Sequence, residues 1–123
     1  MIVTIKSIDQ DVITFHSEFG IGVAIWHGKT PKVNSVQHVE FDIKETLTWG
    51  VDIYPSDVES CTINMVNKKL VILGQLESVD EDGYTVVRLG NSIIPLDVQG
   101  ITQLEPMYVK AVLNEVTLFP YEL

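Results

Sequence analysis

Apolar and polar residues alternate with a period of two along much of the chain. Between positions 39 and 49, Val39, Phe41, Ile43, Leu47 and Trp49 share one face, and Glu40, Asp42, Lys44, Thr46 and Thr48 share the other. This pattern predicts an antiparallel strand with one side buried and one side wet. Further strands are predicted at 2–8, 12–16, 21–27, 70–76, 84–89, 92–98 and 109–119, most of them rich in Val, Ile, Thr and aromatic residues, the side chains that suit a pleated surface. Asp9-Gln10-Asp11 and Asp80-Glu81-Asp82-Gly83 fit hairpin turns, because Asp bonds nearby main-chain N–H groups and Gly83 permits a positive φ. Further reversals are marked by Phe19-Gly20, Val66-Asn67-Lys68-Lys69 and Leu89-Gly90-Asn91. Helical signals are limited to single turns at 55–59 and 100–106, too short to be stable alone.

The alternation also repeats at long range. Lys6-Ser7-Ile8-Asp9-Gln10-Asp11 returns 71 positions later as Glu77-Ser78-Val79-Asp80-Glu81-Asp82, and 39–49 aligns with 109–119 at a shift of 70, which sets Glu45 on Glu115. A repeat of this kind predicts two β-rich halves of similar layout, about 2–54 and 71–121. The fold expected is all-β, a small antiparallel barrel or a two-sheet sandwich within one domain of 123 residues. One version is an OB-like barrel made from the strand at 39–49, the meander 70–98 and a closing strand from 109.

Composition narrows the function. With 46% hydrophobic residues the chain has the means to fold. No apolar run approaches the ~20 residues that span a bilayer, and the start lacks the basic, apolar and small-residue segments of a secretory signal. The expected location is the cytoplasm, and the lone Cys61, which has no intrachain partner for a disulfide, agrees with a reducing compartment. Seventeen acidic against eight basic residues give a net charge of −9. That field repels phosphate backbones and attracts a basic partner.

Candidate chemistry is sparse. His16, His27 and His38 are each 11 residues apart, too far for a local metal pair. The acidic turns lack the later ligands of a calcium loop. No nucleophile elbow, P-loop, dinucleotide fingerprint or zinc-protease motif is present, so no catalytic residue, metal or cofactor is assigned. Glu45 falls on an otherwise apolar face, and the apolar phase slips at Glu115. A bulge or sheet rim explains both, and a carboxylate pair in a barrel mouth is the alternative. Trp26, beside the loop at 28–38, fits the core, with a role as a binding anchor as the alternative.

These features predict a non-enzymatic protein-binding module of the immunity-protein or antitoxin type, an inhibitor of a basic protein such as a bacterial toxin. Its partner surface would draw on Asp9, Asp11, Trp26, Asp80, Glu81 and Asp82. Two alternatives are a β-barrel subunit of a homo-oligomer, since the terminal strands carry few charges to protect an edge, and a small-ligand binder or enzyme built on Glu45 and Glu115.

Overall fold

A computed structural model describes residues 1–101 and 105–121. Its strands are, in chain order, β1 (Ile2–Asp9), β2 (Val12–Ser17), β3 (Gly20–Trp26), β4 (Val36–Asp42), β5 (Thr46–Thr48) and β6 (Ile53–Pro55). They continue as β7 (Thr62–Val66), β8 (Lys69–Val79), β9 (Tyr84–Leu89), β10 (Ser92–Gln99), β11 (Met107–Leu113) and β12 (Thr117–Pro120). The fold is all-β. The segment at 55–59 is not helical, because β6 runs extended into Pro55 and an irregular loop follows. The second predicted turn, at 100–106, lies partly outside the described residues. No helix among the described residues is long and apolar enough to cross a membrane.

The first barrel starts as a meander. β1 and β2 pair from Thr4↔His16 to Asp9↔Val12, across a turn in which Gln10 takes a φ of 57°. β2 and β3 pair from Val12↔Ile25 to Ser17↔Gly20. Alternation turns Val3, Ile5, Ile13, Phe15, Ala24 and Trp26 inward. β4 pairs antiparallel with β1, and β12 lies between β4, antiparallel, and β3, parallel. The ring β1-β2-β3-β12-β4 therefore closes into a five-stranded barrel of OB-like order.

The second half repeats the plan. β8, β9 and β10 form a meander, and β11 pairs antiparallel with β8. β5 runs parallel to β10, as β12 does to β3. β6 pairs antiparallel with β11, and a bridge between Trp49 and Ile53 joins β5 to β6. β7 has no counterpart in the first half: it forms a hairpin with β8 and meets β3 at Gly20↔Ile63, which ties the two halves together.

The echo has a structural cause. The β1–β2 register slips between Ile5 and Ser7, and the β8–β9 register slips between Leu76 and Ser78. Both bulges thus fall on the first residue of the repeated hexad, Lys6 and Glu77. The long segments at 39–49 and 109–119 need correcting, however, since neither is one strand. β4 ends at Asp42 in the barrel and β5 begins at Thr46 in the second half; β11 ends at Leu113 in the second half and β12 begins at Thr117 in the barrel. Each half sends a strand into the other half's sheet. The buried residues accordingly form one continuous core, from Val3, Phe15 and Phe41 through Leu70 to Val87, Ile94 and Ala111.

Closure also removes the edges expected at the chain ends. β1 is flanked by β2 and β4, β12 by β3 and β4, and β11 by β6 and β8. The terminal strands thus offer no free ladder to a second copy, which takes away the motive for the homo-oligomer reading. The Met1 ammonium donates to the Val39 carbonyl at 3.0 Å. Burial lowers its pKa below 8.0, and the charge of Glu40 opposes that shift.

Candidate acidic interface

The β8–β9 turn is built to hold its carboxylates outward. Gly83 N–H donates to the Asp80 carbonyl at 3.0 Å and Tyr84 N–H to Asp82 Oδ1 at 3.2 Å. The Gly83 carbonyl accepts from Val98 N–H and Thr85 Oγ1, each at 3.0 Å, which docks the turn on β10. Gly83 sits at φ 93°, and a Cβ there would lie 2.5 Å from the Val98 carbonyl oxygen, so a side chain at this position would push the turn away. On β10, Asp97 faces outward and its Oδ2 accepts from Thr46 Oγ1 at 2.8 Å.

Two open clefts meet here. One, of about 360 Å³, is lined by Asp42, Ile43, Asp82, Tyr84, Pro95, Leu96 and Asp97. The other, of about 420 Å³, runs past Thr46, Asp80, Glu81, Asp82 and Asp97 to Ile101. Asp82 and Asp97 belong to both. Five carboxylates thus line a continuous wall, and among the described residues no lysine or arginine lines either cleft. The nearest counter-charge is Lys44, 4.0 Å from Asp42 Oδ2 with its own side chain 78% exposed, a weak, screened pair. Tyr84 (48% exposed) and Pro95 supply apolar surface beside the wall. Asp42 and Asp97 were not singled out by the sequence. Asp97 did carry a signal, a charge on the solvent parity of an otherwise apolar strand.

The other candidate residues are dispersed. Asp9 and Asp11 are exposed at the β1–β2 turn of the first barrel and line neither acidic cleft. Trp26 is a correction as a surface anchor: it is 6% exposed, and its Nε1 donates to the Lys29 carbonyl at 2.9 Å. The parity of β3 turns its ring into the core. His27 stacks on Phe119 with ring centroids 4.2 Å apart, His38 lies 6.0 Å from Tyr121, and His16 borders a shallow cleft with Ile2 and Glu18. No group of three His, Cys, Asp or Glu residues among those described is placed to hold a metal ion. Cys61 is half-buried with Sγ 3.9 Å from the Arg88 carbonyl.

Glu45 sits where β4 crosses toward β5, and Glu115 where β11 crosses toward β12. The two crossings are tied together: Glu45 Oε1 accepts from Asn114 N–H at 2.7 Å, and Oε2 accepts from Asn114 Nδ2 at 2.9 Å. Glu115 is exposed and lines a cleft that does not include Glu45. Glu45→Ala is expected to cost about 1–2 kcal/mol, because it leaves an N–H at the crossing without its charged acceptor. Glu45→Gln, which keeps one acceptor, should cost less. Urea denaturation reads both, and an unchanged midpoint for the alanine variant would refute the role as a clasp.

No family model matches the chain, and neither a curated protein nor a solved structure matches it.

Proposed function

We propose that this chain is a non-enzymatic protein-binding module whose acidic wall receives a cationic segment of a basic partner, as an immunity-type inhibitor of a toxin would. The observation that carries this reading is the wall itself, formed by Asp42, Asp80, Glu81, Asp82 and Asp97 around two adjoining clefts that no cation among the described residues lines. Uncompensated carboxylates held on a rigid turn concentrate the field of a molecule whose net charge is −9. A field of that kind steers a basic partner and speeds encounter. Tyr84 and Pro95 beside the wall offer the apolar contact that specific interfaces add to charge.

The test starts with a basic protein retained by the immobilised chain and then purified. Its binding is measured against wild type and against a variant carrying D80N, E81Q, D82N and D97N. Association with the variant is expected to be about 10–100-fold slower at low salt, with a flatter dependence of rate on ionic strength. Equal rates for the two proteins, or binding to wild type that ignores salt, would overturn the reading.

A further inference from the structure

The repeat places a cleft at the same position in each half, and the two clefts differ in chemistry. In the second half the cleft belongs to the acidic wall, where Tyr84, Asp97 and Asp42 line it. At a shift of 72 positions these three correspond to Val12, Ile25 and Asn114, which line a second cleft, of about 230 Å³. The strand register agrees, since Val12 is opposite Ile25 as Tyr84 is opposite Asp97. Two carboxylates of the wall thus give way to an isoleucine and an amide. Met65, Leu70 and Val116 complete apolar walls, the last two from the buried core.

Among the described residues this apolar cleft is lined by one cation and one carboxylate, Lys68 and Glu115. Lys68 is the second residue of the two-residue turn that joins Val66 of β7 to Lys69 of β8, with Asn67 at φ 51° and Lys68 at φ 65°. Such a turn favours glycine at its second position, because a side chain resists a positive φ. Here the turn instead holds a lysine at the cleft. Glu115 follows Asn114, whose N–H and Nδ2 are both fixed by the Glu45 carboxylate. Among the described residues neither Lys68 nor Glu115 has an opposite charge within 4.0 Å. The cleft therefore carries two opposite charges that are too far apart to pair with each other.

We infer that this cleft is a binding site for a free aliphatic α-amino acid of about the size of leucine. The α-carboxylate of the ligand pairs with Lys68 and its α-ammonium with Glu115, while its side chain lies against Met65 and Leu70. Charge-assisted bonds at both ends fix the orientation, and the apolar walls supply the burial. The net charge of the chain is −9, a field that repels a simple carboxylic acid and draws a simple amine toward the acidic wall. A zwitterion has no net charge and is subject to neither effect. The site is separate from the wall and does not rest on the proposed protein partner.

Titration of L-leucine into the isotope-labelled protein, followed by NMR, tests the site. Saturable shifts are expected at Ile25, Met65, Lys68 and Glu115, with a Kd on the order of 0.1–1 mM. Isocaproate, which lacks the ammonium, and isopentylamine, which lacks the carboxylate, should each bind there about tenfold or more weakly. Lys68→Gly and Glu115→Gln should each weaken leucine binding about tenfold or more. Lys68→Gly also puts the favoured residue into the turn, so its urea midpoint should be no lower than that of wild type, which separates lost binding from lost folding. The D80N, E81Q, D82N and D97N variant should bind leucine as wild type does. Absence of saturable shifts at the four residues, equal binding of the acid or the amine alone, or leucine affinity unchanged in either single variant would each overturn the inference. So would loss of leucine binding in the wall variant.

Discussion

Gly20→Ala is expected to destabilise the protein by roughly 3–5 kcal/mol, a larger cost than most single substitutions carry. Gly20 stands where β3 of the first barrel meets β7 of the second half, at φ 139°. Two costs add at this position. A side chain rarely takes that φ, and a Cβ there would collide with the Ile63 carbonyl oxygen, a main-chain atom that cannot rotate away. The junction would have to open, and Ile63 N–H donates to the Phe19 carbonyl across it at 2.9 Å. Gly28→Ala isolates the conformational part: Gly28 has a φ of 101° with nothing within 4 Å of a built Cβ, so it should cost only about 1–2 kcal/mol. Urea denaturation of both variants gives the comparison. Similar costs at the two glycines would show that the β3–β7 junction yields easily.

Phe15→Ala should cost about 3–5 kcal/mol through lost burial and the cavity left behind. Phe15 is fully buried and meets Phe41 edge to face, with ring centroids 6.0 Å apart and planes at 87°. Its ring end lies beneath Gly22, where a Cβ would sit 2.5 Å from Phe15 Cζ and 3.0 Å from Leu70 Cδ1. Gly22 is therefore the thin place that lets the first barrel's aromatic core and the second half's Leu70 pack against the same strand. Gly22→Ala alone is expected to destabilise by about 2–3 kcal/mol through overpacking. With Phe15→Leu present, the smaller side chain makes room, and the double variant should be at least about 1 kcal/mol more stable than the sum of the two single costs. Strict additivity would show that the two positions do not share the contact.

Most of the strands were legible because their signal is local. β1, β2, β3 and β10 alternate, β8 and β9 carry short apolar runs, and all six end at Asp, Asn or Gly turns; neither feature depends on distant partners. β6 is the least legible, since three residues around Tyr54 give alternation too little length to fix its bounds. The candidate site was legible only in part. Asp80, Glu81 and Asp82 stand together in the sequence, but Asp42 and Asp97 join them through the β4 crossing and the parallel pairing of β5 with β10. Trp26 was legible as a core residue from the face it shares with Gly22 and Ala24, and the closed barrel buries it, which removes the alternative of a surface anchor.

By itself, the sequence determined the all-β class, the hairpin turns and the plan of two similar halves, since alternation, turn chemistry and repetition are written residue by residue. Tertiary structure alone decided that the halves exchange their last strands. The pattern at 39–49 could not reveal the exchange, because Val39, Phe41, Ile43 and Leu47 are buried on both sides of the crossing. The two halves share one continuous core, so a chain segment that passes from one to the other keeps the same parity throughout. The one irregularity, Glu45, marks the crossing because its carboxylate is needed for the Asn114 amide and not for the core.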